Sequence, residues 1–420
     1  MSSTFRSLKI HNYRVWASGA IISNIGTWMQ RTAQDWLVLT QLTHHNATAL
    51  GVVTALQFGP QLLLLPLTGL AADTLDRRRL LMATQMGQGV LALLLGLLTV
   101  LGHVQLWQVY GFAALLGIVT AFDAPVRQTF VSELVSEADL PNAVGLNSTS
   151  FNAARMVGPA VAGVLIGAVG TGWVFLINAA SFAAVIVSLS RLRLSELRRD
   201  ERAARKSGNL LEGFAYVRQR PDLRVILLML FFVGTFAINF PIFISTMSVS
   251  VFHAGAGEYG LLNSVMAVGA VAGALLAARR DTVPFGVLLS GAAVLGVGLA
   301  LAAVMPSIWL FGLTLVVVGI SAQTFMNSSN TIMQLSTEPA MRGRVMALRL
   351  AVALGAMPIG APLLGWVADT FGPRWSMGMG AMSGLAALLV GVFYLVRYRH
   401  LRVWLEAGRL KLNMDRELSL

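Results

Sequence analysis

The chain of 420 residues contains no cysteine and few charged residues. The absence of cysteine excludes disulfides, thiolate metal ligands and cysteine nucleophiles. Charged residues make up 12% of the chain, whereas a soluble domain typically carries about a quarter. Apolar residues make up 56%, and the mean hydropathy is +0.70. Most of the outer surface is therefore expected to face lipid rather than water.

Lysine and histidine are also scarce, and their positions argue against several kinds of membrane protein. The three lysines, at positions 9, 206 and 411, lie outside the apolar segments, so no retinal Schiff base is available. The six histidines fall in predicted tails and loops and form no cluster for a metal centre. No G-x-x-x-x-G-K-[ST] loop for a nucleotide occurs. We therefore expect no enzyme, no cofactor and no metal, and transport that either uses an ion gradient or runs downhill.

The apolar residues are grouped in runs long enough to cross a bilayer, which takes about 20 residues of helix. Spanning segments must be helices here, because open strands would leave backbone groups unpaired in lipid. The predicted fold is all-α, with about twelve transmembrane helices. The predicted spans are 15–39, 50–71, 80–101, 104–122, 144–169, 173–191, 224–247, 258–278, 284–304, 308–326, 345–367 and 376–396.

The basic residues are unevenly distributed, although the net charge is +12. Such a charge can indicate a nucleic-acid partner. Most of the Lys and Arg, however, lie before the first span, in alternate loops and after the last span, which is the positive-inside bias of a membrane protein. We expect a multi-pass protein of the bacterial inner membrane with both termini in the cytoplasm, and no nucleic-acid partner.

The longest polar stretch divides the predicted spans into two sets of six. The expected organisation is an N-terminal half (1–191), a cytoplasmic linker (192–223), a C-terminal half (224–396) and a cytoplasmic tail (397–420). In the linker, Leu210, Leu211, Phe214 and Val217 share one helical face, which predicts either a short surface helix or a plain tether.

Spans five and six resemble spans eleven and twelve when the chain is shifted by 202 residues. The shift superposes Gly158 on Gly360, Gly163 on Gly365 and Trp173 on Trp375. This pattern predicts two pseudo-symmetric halves.

The first span carries a polar stripe. Asn24, Thr27, Trp28, Arg31, Gln34 and Asp35 follow steps of three and four and therefore share one helical face. A charge in the centre of a lipid-facing helix costs about 2.5–3.5 kcal/mol, so the stripe should face a cavity or the bundle interior. We predict that Asp35 is the proton-coupling carboxylate, that Arg31 pairs with it at i, i+4, and that Asn24, Trp28 and Gln34 line a substrate cavity. The alternative is a structural ion pair at the outer membrane interface.

The segment after the second span holds Gly69, Asp73, Arg77 and Arg78. Glycine permits close helix approach, and Asp73 beside the arginines predicts a charge latch that breaks and re-forms as the halves move. The alternative is ordinary positive-inside decoration. The segment resembles the G-x-L-A-D-x-x-G-R-[RK] signature of the major facilitator superfamily, although Ala71 replaces a leucine and Asp76 a glycine. In that family the loop governs conformational exchange.

The fifth span contains Arg155, Gly158, Pro159 and Gly163. Proline bends a membrane helix, and small neighbours permit tight packing. The element resembles the G-P-x-x-G-G motif of the superfamily's drug/proton antiporters, with Ala162 in place of a glycine. Arg155 either lines the cavity or has a packing or snorkelling role.

Further segments resemble the branch of siderophore, macrolide and multidrug exporters. They are the stretch from Gly26 to Leu39, the sequence from Asp123 to Gln128, the sequence from Asn152 to Arg155 and the sequence from Arg342 to Met346. The second half offers Asn239, Phe240, Gln323 and Asn327, which either line the cavity or make ordinary interhelical hydrogen bonds. Asn239 and Phe240, with Pro241, predict a broken region in span seven.

The sequence thus predicts a secondary transporter that exports a small amphipathic molecule, of drug or siderophore type, by alternating access in exchange for protons or sodium. We expect a monomer in the lipid bilayer. The alternatives are an importer or facilitator of a small organic solute on the same fold, or a non-transporting lipid-handling protein.

Overall fold

The apolar segments fold into helices, as the sequence predicts. The computed structural model describes residues 3–198, 210–280, 282–398, 402–406 and 409–413. The helices are α1 (His11–Trp36), α2 (Ala47–Leu63), α3 (Leu65–Thr74), α4 (Arg77–Val100), α5 (Leu106–Leu134), α6 (Leu140–Val169), α7 (Thr171–Ser190), α8 (Leu210–Gln219), α9 (Pro221–Phe232), α10 (Phe240–Thr246), α11 (Ala256–Ala278), α12 (Phe285–Val304), α13 (Ile308–Leu335), α14 (Pro339–Phe371) and α15 (Pro373–Tyr398).

The strands in the described part of the chain are confined to the tail. β1 (Arg402–Glu406) pairs antiparallel with β2 (Arg409–Asn413). The sequence did not predict this hairpin. The predicted all-α architecture holds for the apolar segments.

Ten helical segments among the described residues are long and apolar enough to cross a membrane. The predicted spans 15–39 and 50–71 coincide with α1 and with α2 followed by α3, which are not among the ten. The polar stripe lowers the hydropathy of α1, and a helix break at Leu64 divides the other span into shorter pieces. Twelve spans therefore remain a prediction.

Several helices contain wider π-helical turns. α1 continues into one at Leu37–Leu42, the predicted seventh span contains one at Val233–Ala237, and another begins at the end of that span, at Met247–Val251. The helix is interrupted at Ile238 and Asn239, which are not helical, and resumes at Phe240. The break lies where the sequence predicted it, next to a proline that cannot donate a backbone hydrogen bond.

The chain divides into two compact units. The first contains Met1–Arg205, Pro241–Val268 and Ala361–Pro373, and the second contains Lys206–Phe240, Gly269–Gly360 and Arg374–Leu420. In the first unit, α7 packs extensively against α1 and α4. A buried aromatic cluster that includes Tyr13, Trp16 and Phe130 lies near the N-terminal end of α1. In the second unit, α12 packs extensively against α13.

The linker contains the helix that the sequence offered as one of two possibilities. In α8, Val217 is buried whereas Phe214 is exposed. Glu212 forms a 3.1 Å ion pair with Arg344, and Gly213 lies directly against the same arginine. Residues 199–209 of the predicted linker lie outside the described residues.

Candidate functional site

A polar cavity lies in the first unit between α1, α2, α4, α5, α6 and α7. Its volume is about 540 Å³, within the range of about 300–1,000 Å³ that small-molecule sites occupy. Ten of its 22 lining residues carry amide side chains: Asn24, Gln30, Gln34, Gln57, Gln61, Gln88, Gln128, Asn147, Asn152 and Asn178. Arg31, Asp123 and Arg127 also line it. The cavity therefore offers many hydrogen-bonding groups in a mostly apolar bundle.

The polar stripe of α1 faces this cavity. Asn24, Thr27, Arg31 and Gln34 are among the lining residues, whereas Trp28, also predicted to line the cavity, is not. Ile21 and Ile22, on the other face of the helix, are 38% and 49% exposed, as lipid-facing residues should be. The periodicity of the sequence thus predicted the orientation of the helix, because residues three and four apart share a face.

The predicted pairing of Arg31 with Asp35 is wrong for this structure. No ion pair within 4.0 Å joins them among the described residues. The Arg31 guanidinium instead lies over aromatic rings, 4.9 Å from the ring centroid of Trp28 and 5.6 Å from that of Phe58. Its Nε is buried without a hydrogen-bond partner in the protein. The i, i+4 spacing permits a pair, but the aromatic contacts hold the guanidinium elsewhere.

Asp35 has a different partner. The Tyr259 hydroxyl, in the first turn of α11, donates a 3.2 Å hydrogen bond to Asp35 Oδ2. The Tyr259 ring also stacks on Trp36 at 5.8 Å between centroids. Asp35 does not line the cavity, although it lies one helical turn beyond Arg31. Its partner is 224 residues away in sequence, so no local pattern indicated it.

A second ionic group lies inside the cavity. Asp123 of α5 is only 5% exposed and pairs with Arg127 at 3.0 Å. Thr84 and Gln85 each donate to its Oδ1 at 2.7 Å, and Arg127 also donates to Asn24 Oδ1 at 3.0 Å. The sequence predicts no role for Asp123 or Arg127. Their i, i+4 spacing inside an apolar helix was the available signal.

The glycines of α6 let neighbouring helices approach closely. A Cβ atom on Gly158 would lie 2.6 Å from Trp28 Cβ, so this glycine lets α6 pack closely against α1 at the β-carbon that carries the Trp28 indole. The same indole has the Arg155 guanidinium 5.8 Å from its ring centroid and contacts Phe151 edge-on. Gly163 packs against Ala256 at the start of α11, and a Cβ on Gly260 would collide with the carbonyl of Pro159.

A matching crossing joins the start of α2 to the second part of α14. A Cβ on Gly365 would collide with the carbonyl of Ala47, and one on Gly51 would collide with that of Ala361. The residue 202 positions after Gly163 is Gly365, and the residue 209 positions after Gly51 is Gly260. The two crossings are thus equivalent position by position, which supports the predicted internal repeat. We call them the glycine crossings.

Asp369 reinforces the crossing of α2 and α14. Its Oδ1 accepts from the backbone N–H of Ala47 at 2.7 Å, and its Oδ2 accepts from the N–H and the hydroxyl of Thr48 at 2.8 Å and 2.5 Å. A carboxylate at a helix N-terminus satisfies free N–H groups and complements the helix dipole.

We predict that Asp369→Ala weakens this crossing by about 1 kcal/mol, because it removes a carboxylate from an exposed helix end. The expected result is a lower melting temperature in detergent, with Asp369→Asn intermediate. Glu258→Gln, which removes an exposed acid at the start of α11, serves as the control. Equal melting temperatures for wild type and Asp369→Ala would contradict the assigned contact.

The predicted charge latch differs in detail. Gly69 makes no close contact with another helix in the described part of the chain, since a Cβ there would meet no atom within 4 Å. Arg77 pairs with Glu133 at 3.0 Å, and Arg78 donates to the Leu189 carbonyl at 2.8 Å. The side chain of Asp73 lies outside the described part of the structure. The expectation that Gly69 permits close helix approach is therefore wrong here, whereas both arginines tie α4 to its neighbours.

The predicted cavity residues of the second half belong to the second unit and do not line this cavity. The Asn239 side chain donates to the Thr235 carbonyl at 2.6 Å, and Phe240 is buried. Gln323 donates to Asn327 at 2.9 Å. A residue that the sequence analysis missed, Arg349 of α14, is 8% exposed and donates to Ser329.

A cavity with polar side chains inside a bundle of apolar helices is typical of a membrane transporter. Comparison with known proteins identifies the family. The family described as "Transmembrane secretion effector" matches residues 2–409. The chain belongs to this family of the major facilitator superfamily. The family resemblance and the major facilitator fold that the sequence predicted are therefore confirmed, and the protein is a multi-pass membrane transporter and not an enzyme.

The relatives include transporters of siderophores and drugs. The chain is 24% identical over 397 residues to the staphyloferrin A transporter of Staphylococcus aureus, an alignment that covers 93% of this chain and 97% of the relative. It is 26% identical over 409 residues to the multidrug efflux pump Tap of Mycolicibacterium fortuitum, covering 91% and 95%.

A similar solved structure is that of a bacterial homologue of the human lysosomal transporter Spinster, in an inward-facing and unoccupied conformation. Its TM-score is 0.70 at 15% identity, covering 94% of this chain and 96% of that one. This similarity shows the fold.

Proposed function

We propose that the protein exports a small molecule through the cavity beside α1, by alternating access and in exchange for protons or sodium. The observation that carries the proposal is the polar face of α1, which lines the cavity with Arg31 and several amides. Ionisable groups inside a membrane protein are expensive and mark substrate or ion pathways. The siderophore and drug transporters among the relatives support export.

The distribution of basic residues supports an inner-membrane protein with both termini in the cytoplasm. In that orientation the C-terminal end of α1 is the outer end. The glycine crossings and Asp369 would then close the outer side, and they would separate when the cavity opens outward. These contacts are non-covalent and can be broken and re-formed as the packed helices shift.

Asp35 is the proposed coupling group, and Tyr259 makes its proton affinity depend on the state of the outer side. When this side is closed, Tyr259 donates a hydrogen bond to Asp35. Opening would break this bond and expose Asp35 to the outer solution, from which it takes up a proton. Closing would restore the bond, and the proposed exchange requires that the proton then leave toward the inner side in each cycle.

The remaining proposed roles follow the predicted sites. Gly69, Asp73, Arg77 and Arg78 are proposed to govern conformational exchange at the inner side, with the pair of Arg77 and Glu133 as the contact that must rearrange. In the second half, we propose that the substrate also meets four residues: Asn239, Phe240, Gln323 and Asn327. The proposed working form is a monomer organised in the two halves that the sequence predicts.

The test is the accumulation of a panel of small molecules in cells that do or do not express the protein. We expect expressing cells to retain less of at least one compound, and a protonophore to remove the difference. The same assay in sodium-free medium separates protons from sodium. A difference that persists with protonophore in sodium-free medium would contradict ion coupling, and the absence of any difference across the panel would contradict export.

A further inference from the structure

The charge balance of the cavity differs from what an apolar or cationic drug requires. Asp123 is already neutralised by Arg127 and by hydrogen bonds from Thr84 and Gln85. Arg31 has no acidic partner within 4.0 Å among the described residues. Asp35 attracts Arg31 electrostatically but does not line the cavity, so the charge that Arg31 presents at the cavity wall is positive.

A second guanidinium lies nearby: Arg155 is not among the lining residues, but it follows the lining residue Asn152 by three positions on α6. Arg31 and Arg155 each lie within 6 Å of the ring centroid of Trp28, and neither forms an ion pair in the part of the chain that the structure describes. A charged residue inside the membrane is costly, and contact with an aromatic face offsets only part of that cost. Two guanidinium groups beside one indole therefore carry a high free-energy cost, which a bound negative charge would lower.

Buried donors without partners point to the same kind of ligand. Arg31 Nε is buried and has no acceptor among the residues that the structure describes. Gln88 is 5% exposed, lines the cavity, and leaves its Nε2 without an acceptor in the same part of the chain. A buried donor left unsatisfied is destabilising. A ligand rich in acceptor oxygens would satisfy both groups, whereas an apolar cation would satisfy neither.

We propose that the substrate is a small organic anion with several carboxylate or hydroxyl oxygens, bound by Arg31 and Arg155 beside Trp28 and by the amides of the cavity. This inference rests on the proposed function, and it replaces the amphipathic substrate that composition suggested. A guanidinium binds a carboxylate through two parallel hydrogen bonds, which gives orientation as well as attraction. The substrate site is thereby distinct from Asp35, whose partner is Tyr259.

Citrate, a hydroxylated tricarboxylate, is the probe that tests the class. Calorimetric titration of the purified protein is expected to show binding of citrate at millimolar concentration or below. Its neutral triethyl ester and the lipophilic cation tetraphenylphosphonium are expected to bind at least about tenfold more weakly, which corresponds to one charge-assisted hydrogen bond of about 1.5 kcal/mol. Inorganic phosphate, tested in parallel, separates a carboxylate site from a general anion site.

Variants assign the binding to the two arginines. Arg31→Gln and Arg155→Gln are each expected to weaken citrate binding about tenfold or more. Arg31→Lys should restore part of the affinity, since it keeps the charge but not the paired donors. Arg14→Gln is the matched control, because Arg14 lies on the same helix and is exposed. Unchanged melting temperatures establish that the variants fold.

The outcomes separate this inference from the proposed function. Failure of citrate to bind, tighter binding of tetraphenylphosphonium, phosphate binding as tight as citrate, or no effect of Arg31→Gln would overturn the anion class, whichever compounds are exported. Citrate binding that depends on Arg31 would support the anion class. If the same protein then exported no compound of the panel, the anion site would stand and the proposed export would fail.

Discussion

Asp35→Asn is expected to abolish transport driven by a pH gradient while leaving substrate binding intact. Asparagine has nearly the same shape and can still accept the hydrogen bond from Tyr259, but it cannot take up or release a proton. The measurement is uptake and release in proteoliposomes with an imposed pH gradient, compared with exchange of substrate at equal pH on both sides. We expect the gradient-driven component to vanish and the exchange to persist.

Two further variants make the assignment specific. Tyr259→Phe keeps the stacking on Trp36 but removes the hydrogen-bond donor to Asp35. A hydrogen bond to a charged group contributes about 1.5–3 kcal/mol. The variant should therefore reduce gradient-driven transport about tenfold or more. Glu258→Gln changes the preceding residue, an exposed acid, and should leave transport unchanged. Gradient-driven transport that survives Asp35→Asn would show that another group carries the proton.

The sequence predicted Asp35 as the functional carboxylate but assigned it the wrong partner. Helical spacing identifies which side chains share a face, and Arg31 and Asp35 do share one. Which contacts each side chain finally makes depends also on residues of other helices, here Phe58 for Arg31 and Tyr259 for Asp35. Such contacts depend on tertiary packing, which no periodicity in one helix contains.

The polar lining of the cavity could not be predicted from the sequence, because it too depends on tertiary packing. The lining amides are distributed over six helices, so each helix contributes only a few and remains apolar on average. An overall composition of 56% apolar residues therefore suggested an amphipathic substrate. The orientation of α1 was predictable because its polar residues are concentrated on one face. The convergence of Gln57, Gln88 and Asn178 on the same space was not, because it depends on how the helices pack.

The glycine crossings show where the internal repeat has a physical consequence. Gly163 and Gly365 occupy equivalent positions, and each lies against the backbone at the start of a helix from the other half of the sequence, at Ala256 and at Ala47. Helices in lipid have little hydrophobic drive to associate, so close backbone packing supplies much of the attraction. A side chain larger than hydrogen would force the helices apart.

Gly163→Leu and Gly365→Leu are therefore expected to prevent closure at these crossings and to stop transport. Gly167→Leu is the matched control, because it lies one turn further along α6 and a Cβ there meets no atom within 4 Å. The chain has no cysteine, so a single cysteine can be introduced at Thr27, which lines the cavity. In intact cells, a maleimide that cannot cross membranes should label this cysteine faster in both leucine variants than in the control or the parent protein.

Loss of transport alone would not establish this role, since a leucine at a close contact can also destabilise the fold. Faster labelling from outside, together with retained ligand binding in the purified variants, distinguishes an open outer side from an unfolded protein. Overpacking typically costs about 1–3 kcal/mol, which is enough to shift a two-state equilibrium by about 5- to 150-fold. If labelling stays at the level of Gly167→Leu while transport is lost, the crossings stabilise the bundle but do not close the outer side.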